Sequence, residues 1–430
     1  NVRMPTVVII GAGLAGLTSA QALQKQGWDV TVVDANAAPA LGTSFANAGM
    51  LTPSMADPWN APGLLPYLLK SIGHENSSFL LRMGALPSFA SWGLRFLAQS
   101  RSSEYLKSCE ANFHLARYSL QKISEWSEEL ELQFEQRDNG TMKIFRHAKD
   151  LETPLKVAKQ LTPLGLQCEQ LSPTQATAFE PSLAPIENQL SAALLYPQDA
   201  SGNAYRFCNA LSETLVKQGV TLRYNEPFKR WLWHGNQLSG FATQQQSYTP
   251  DAIVLAAGVA SPKLLQPLGL ELMVRPVKGY SISLDAHGLE GLPQLPIIDE
   301  ALHCAISPFD SILRVAGTAE LSGWNTEIKP ARIENLRKMV RAILPEQAEL
   351  LLTKETAAWA GLRPMSADGL PYIGSCKRPQ LEKLYLNTGH GHLGWTHSAG
   401  SAELLAAEMQ SKPGDITIKP YQASRVLNRA

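Results

Sequence analysis

Ten residues near the start, Val7-Val8-Ile9-Ile10-Gly11-Ala12-Gly13-Leu14-Ala15-Gly16, restrict the fold more than any other stretch. Four apolar residues suited to a buried strand run into G-x-G-x-x-G and then into the helix-like stretch 17–26. In such a strand–turn–helix unit Gly11 makes the tight turn, Gly13 lets backbone approach a pyrophosphate, and Gly16 lets helix pack on strand. Leu14 and Ala15 open the helix, whose N-terminus faces the phosphates. A second strand over 30–33 ends in Asp34 and Ala35, with Asp34 lying 23 residues beyond Gly11. A carboxylate there accepts hydrogen bonds from a ribose diol and disfavours a 2′-phosphate. The nucleotide expected is therefore FAD or NAD.

Length sets the scale around this unit. A chain of 430 residues with 44% apolar content suits two domains with a large core. No apolar run reaches the ~18 residues of a membrane-spanning helix. The 38 basic and 38 acidic residues balance without a basic block, which points away from nucleic acid and towards a small-molecule substrate. Cys109, Cys168, Cys208, Cys304 and Cys376 are odd in number and lack C-x-x-C spacing. That pattern argues against a disulfide framework or a zinc site and for a reducing, cytoplasmic setting. The apolar opening reads as the nucleotide-binding strand, since no small-residue cleavage pattern precedes the glycines.

The periodicities alternate in type along the chain, so the two domains are expected to interleave. Residues 42–62 read as an extended loop, 64–97 as apolar clusters and 103–134 as a long helix. Strands are expected near 139–145, 220–224, 253–257, 273–284, 303–315 and 384–387, and helices near 171–178, 204–219, 333–344 and 401–409. The organisation expected is a Rossmann-like α/β nucleotide domain from 1–85, 145–170, 200–265 and 355–430. An α+β substrate domain on a mixed or antiparallel sheet is expected from 86–144, 171–199 and 266–354.

A second glycine-rich turn, Asn387-Thr388-Gly389-His390-Gly391-His392-Leu393-Gly394-Trp395-Thr396, answers the first from the far end of the chain. Between them lie Thr43-Ser44-Phe45-Ala46-Asn47-Ala48-Gly49, Arg275-Pro276-Val277-Lys278-Gly279-Tyr280, and the stretch 361–374 with its Gly-Leu-Arg-Pro. In order and spacing these motifs resemble the D-amino acid oxidase superfamily of FAD amine oxidoreductases, closest to its bacterial D-amino acid dehydrogenase branch. The resemblance covers nearly the whole chain.

It implies a site. The loop carrying Thr43, Ser44, Ala48, Gly49 and Met50 would run along the ribityl chain and flavin ring. Phe228 would border the adenine, and Ala257 and Gly258 would close the end of a nucleotide-domain strand. Gly391, His392, Leu393, Gly394, Trp395 and Thr396 would bring N–H groups and a helix end to the negative charge of reduced flavin. The 43–45 loop lacks histidine and Trp359 to Met365 lacks cysteine, so FAD would be held non-covalently. Arg363 would grip a substrate carboxylate bidentately. Tyr280, on the same strand face as Lys278, and His392 complete the candidate catalytic set. Arg314 is a weaker second cation, equally suited to the outer face of its sheet or to Glu320.

Two departures count against a glycine oxidase: no tyrosine stands near Cys304, and His392 occupies a position where that group has arginine. His390, His392 and His397 have no carboxylate or cysteine near them in sequence, so no metal is expected. The activity implied is hydride transfer from the Cα–H of a D-amino acid to flavin N5, then hydrolysis of the imine, with electrons passed to a quinone or artificial dye. The alternatives are an O2-using glycine, sarcosine or D-hydroxyproline-type amine oxidase, or a flavin-bearing relay subunit. The apolar 64–97 stretch, with few charges, is a candidate peripheral contact with the inner face of the cytoplasmic membrane.

Overall fold

A computed structural model describes residues 3–429, apart from the side chain of Leu68. The fingerprint strand Thr6–Ile10 sits in the middle of a six-stranded sheet. The order across it is Tyr372–Ser375, Leu384–Thr388, Ala252–Leu255, Thr6–Ile10, Asp29–Val33 and Thr221–Arg223. All neighbours are parallel except the outermost pair Tyr372–Ser375 and Leu384–Thr388. Strand order reverses direction at Thr6–Ile10, and such a switch point opens a crevice at the carboxyl ends of the strands.

Alternation along that strand sorts its two faces. Val7 and Ile9 pack with helices Leu14–Lys25, Ala204–Lys217 and Ser398–Met409, whereas Val8 and Ile10 pack with Trp231, Phe241 and Leu265 beneath a three-stranded sheet. Each such aliphatic side chain, fully buried, contributes about 1.5–3 kcal/mol.

The second sheet has nine strands. Its path runs Glu355–Ser366, Val274–Asp285, Ile312–Leu321, Cys304–Pro308, Ile297–Asp299, Thr141–Phe145, Ala192–Tyr196 and Glu169–Leu171, with Phe79–Leu81 beside Ile312–Leu321. Helix Pro330–Ile343 sets Ile333, Leu336, Val340 and Ile343 against Ile282, Leu284, Leu313 and Val315 on one face. That spacing is the apolar stripe of an amphipathic helix. The opposite face fronts the nucleotide domain.

Grouped by sheet, segments of the two sheets alternate along the chain. Residues 145–170, expected in the nucleotide domain, carry helix Glu152–Leu161 and lead into Glu169–Leu171 of the larger sheet. Glu355–Ser366 likewise pairs along its length with Val274–Asp285 in that sheet. Helix Ser102–Glu129 serves both sides, since Leu115, Ile123 and Trp126 pack in the nucleotide-domain core while Tyr105, Cys109 and Phe113 pack with Phe145, Ala192 and Leu194 of the larger sheet. Burial on both sides of each segment, which no local period reveals, decides its membership. The run 303–315 is two strands, broken where the amide of Phe309 donates to the Ile312 carbonyl.

Candidate active site

The crevice at the switch point continues across the nine-stranded sheet as one cavity of about 910 Å³. Gly11, Gly13, Leu14, Ala15, Asp34, Ala35, Phe228, Ala257 and Gly258 line its nucleotide end, where all were expected. Gly11 has φ +116°, and a Cβ there would lie 2.8 Å from the Ala256 carbonyl carbon, so only glycine makes this turn. Asp34 is set by its own backbone contacts: one oxygen accepts from the Ala12 amide and the other from the Asn36 amide, both at 2.7 Å. Gly16 does not line the cavity; a Cβ there would lie 2.8 Å from the Gly11 carbonyl carbon, so it serves helix–strand packing alone.

Thr43, Ser44, Ala48, Gly49 and Met50 line the middle of the cavity. Their loop is braced at nearly every residue. Thr43 donates to the Leu362 carbonyl (2.6 Å), Ser44 Oγ accepts from the Leu14 amide (3.3 Å), and Ser281 donates to the Ala46 carbonyl (2.8 Å). Arg314 donates from Nε to Ser283 and from Nη1 to the Asn47 carbonyl (3.0 Å), with its guanidinium over Phe309. Arg314 therefore holds the loop in place, and neither lines the cavity nor pairs with Glu320.

The terminal turn contributes Gly391, His392, Gly394 and Trp395. Leu393 and Thr396, expected with them, face elsewhere. Leu393 is buried with Ala56 and Ala116 and its amide donates to the His390 carbonyl (3.0 Å), while Thr396 accepts from the Thr52 amide (3.1 Å).

Arg363 faces the cavity from Glu355–Ser366. Its guanidinium lies against the Cα of Gly279, in space that any Cβ would fill, and 5.1 Å from the centre of the Trp59 ring. Nη1 donates to the Thr318 carbonyl (3.4 Å), and among the described residues no carboxylate comes within ion-pair distance. Burial pushes its pKa down to about 10, the signature of a cation held without a counterion. His392 also stacks on Trp59, with ring centres 5.0 Å apart, and burial, with Arg363 nearby, pushes it down to about 3. The imidazole is neutral. Trp59 is the residue the sequence reading missed; it lies in an aperiodic stretch with no motif of its own. The rings of His390, His392 and His397 turn to three separate partners, Ser401, Met55 and Asn112.

Tyr280 borders the cavity, but its hydroxyl does not serve it. The hydroxyl donates to Glu320 at 2.9 Å, and Glu320, fully buried, also meets Arg82 (2.9 Å), Arg332 (3.5 Å) and Lys278 (3.6 Å). Lys278 and Tyr280 do share a strand face, and that face points into a charge cluster. That bond gives Tyr280 a structural partner in the cluster. Tyr280→Phe is expected to lower stability by about 1–3 kcal/mol, the cost of an unmet buried acceptor, with flavin content and turnover retained. Chemical denaturation beside a steady-state assay checks this; a hundredfold loss of turnover in a stable variant would support the catalytic role instead.

A glycine-walled cradle beside the Asp34 carboxylate, continuous with a cavity lined by an arginine without an ion-pair partner among the described residues, has the chemistry to take a dinucleotide beside an anionic molecule. The chain belongs to the FAD-dependent oxidoreductases of the DAO family, whose profile matches residues 6–408. FAD is its cofactor. Two curated relatives are named D-amino acid dehydrogenase. That of Paramagnetospirillum magneticum is 35% identical, covering 96% of both chains, and that of Neisseria meningitidis is 34% identical, covering 97% of this chain and 100% of the other. Solved structures share the fold at low identity. L-proline dehydrogenase from P. horikoshii has a TM-score of 0.77 at 16% identity over 98% of each chain. Glycine oxidase from Geobacillus kaustophilus has 0.75 at 21% over 98% of this chain and 99% of the other.

Proposed function

We propose that this oxidoreductase deaminates D-amino acids oxidatively to 2-oxo acids and ammonia and passes the electrons to a quinone-like acceptor. The observation that carries the reading is Arg363, a half-buried cation in the cavity with no carboxylate within ion-pair distance among the described residues. A substrate carboxylate supplies the missing anion, and a planar guanidinium flat on Gly279 grips it in one orientation. The preference for the D series rests on the relatives' names.

When bound, FAD supplies the two-electron acceptor for the Cα–H bond. The chain's own residues bind and orient: Arg363 fixes the carboxylate, Trp59 and neutral His392 wall it in, and the braced 43–50 loop holds its position across the cavity. Catalysis on this reading is mainly positioning. Anaerobic addition of D- and L-amino acids to the yellow protein tests it. Bleaching of the flavin band by D-amino acids supports the reading, and a spectrum unmoved by every amino acid rejects it. Slow reoxidation in air would mark a dehydrogenase.

The acceptor surface is read at the mouth. Among the described residues no helix is long and apolar enough to cross a membrane. Leu64 and Tyr67 line the cavity, however, while Leu65 and Leu69 on the same helix, and Met83 and Leu94 in the segment that follows, stand exposed at 46–73%. Such a patch suits peripheral contact with a bilayer that holds quinone. Flotation with anionic liposomes is expected for the intact chain and is expected to fall when Leu65, Leu69 and Leu94 become glutamine; an intact protein that never floats removes the membrane from the proposal.

A further inference from the structure

The cavity also carries charges that oxidation at Cα does not need. Lys143, on Thr141–Phe145, and Glu300, just beyond Ile297–Asp299, both line it and pair at 3.1 Å. Asp57 lines it too, and its nearest hydrogen-bond partner is the Tyr105 hydroxyl at 3.3 Å. Lys143 acts on both carboxylates but pairs with Glu300. Once Lys143 is assigned to Glu300 and Arg363 to the substrate carboxylate, Asp57 faces the cavity with a phenol and a backbone N–H as partners and no cation of its own among the described residues. Burial pushes its carboxyl above the usual range, with Lys143 only partly offsetting that.

Position makes this charge relevant to substrate. Asp57 and Trp59 are two residues apart, so their Cα atoms are at most about 7 Å from one another, and the Trp59 ring is the one that touches Arg363. Arg363 and Asp57 therefore line one cavity, linked by Trp59, which touches Arg363 and lies close to Asp57 in the chain. Other walls of that cavity are small or apolar: Gly279, Gly317, Ala305, Ala316 and Ile298.

We propose that Asp57, with Glu300 beside it, forms a side-chain subsite for long cationic amino acids, an ammonium or guanidinium group, in the same cavity as Arg363. This rests on the reading of Arg363 as the carboxylate clamp. An acidic side chain would meet like charge, and a short aliphatic one would leave Asp57 uncompensated.

The test compares rates of anaerobic flavin reduction by D-lysine, D-arginine, D-norleucine and D-glutamate in the FAD-loaded protein. D-norleucine matches the lysine chain without its charge. The expected kcat/KM ratio of D-lysine to D-norleucine is about 10 or more, the scale of one charge-assisted contact, and expressed chiefly in KM. Asp57→Asn is expected to bring the ratio to about 1, and Lys143→Gln, which removes the competing cation, to raise it. Each ratio is internal to one protein, so altered FAD loading or folding cancels. A wild-type ratio near 1, a ratio unmoved by Asp57→Asn, or a preference for D-glutamate overturns the subsite while leaving the deamination reading intact. A flavin that no D-amino acid bleaches overturns both.

Discussion

An Arg363→Met protein is expected to stay yellow and to melt no lower than the wild type, yet to oxidise amino acids with kcat/KM lower by about 10²–10⁴. The estimate follows from truncating one partner of a buried charge pair, about 3–5 kcal/mol, at 1.36 kcal/mol per decade of rate. Stability moves the other way for a physical reason. Arg363 is a base whose pKa falls to about 10, below the ordinary guanidinium range, because burial disfavours the charged form. At every pH below 10 the protonated guanidinium therefore costs folding free energy, and methionine removes that cost. An anion in the site removes it as well, so a non-oxidisable carboxylate raises the melting temperature of the wild-type protein and not of the variant. Thermal scans with and without the carboxylate, beside stopped-flow reduction, check both halves; unchanged turnover in Arg363→Met would remove the clamp. His392 contributes no titration in the working range, since its pKa lies near 3, and His392→Asn should leave the shape of the pH profile unaltered.

How far the sequence could be read depended on how local the determining contacts were. The Gly11 turn, Asp34 and the 43–50 loop owe their form to neighbours in sequence or to glycine geometry, and each lies where its motif placed it. Arg363 was legible because Gly-Leu-Arg-Pro carries it, although its lack of a counterion is a fact of three dimensions. Tyr280 was legible only in part because alternation shows that Lys278 and Tyr280 share a face and cannot say what that face meets; Glu320 on the neighbouring strand decides it. Leu393 and Thr396 share a motif with Gly391 and Gly394, but a tight turn points successive side chains to different sides. Asp57, Trp59, Lys143 and Glu300 meet only because distant segments converge, and no spacing rule joins them. The same holds for the domain boundaries, where helix Ser102–Glu129 is claimed by whichever core covers its apolar stripe.

Gly49→Ala is expected to yield a folded but largely colourless protein. Gly49 has φ +70°, and a Cβ there would enter the Phe309 ring and lie 2.9 Å from the Gly202 carbonyl oxygen. Neither neighbour is free to move. Phe309 packs under the Arg314 guanidinium that holds the Asn47 carbonyl, and the Gly49 carbonyl in turn accepts from the Gly202 amide (2.8 Å). A left-handed alanine costs about 1 kcal/mol and overpacking a further 1–3 kcal/mol. The loop relieves both by leaving its place against the cavity, so the cost is taken from FAD affinity, about 30- to 1,000-fold at 1.36 kcal/mol per decade. The two main cores do not touch position 49 and should keep the domains folded. Gly219→Ala separates the two effects: its φ is +93° but a Cβ there meets nothing within 4 Å. That variant should lose about 1 kcal/mol of stability through strain alone and keep its flavin. Flavin absorbance per protein and FAD titration of the apoprotein measure the difference. Equal FAD affinity in the two variants would mean that the 43–50 loop does not seat the cofactor, and the assignment of Thr43, Ser44, Ala48, Gly49 and Met50 would fall with it.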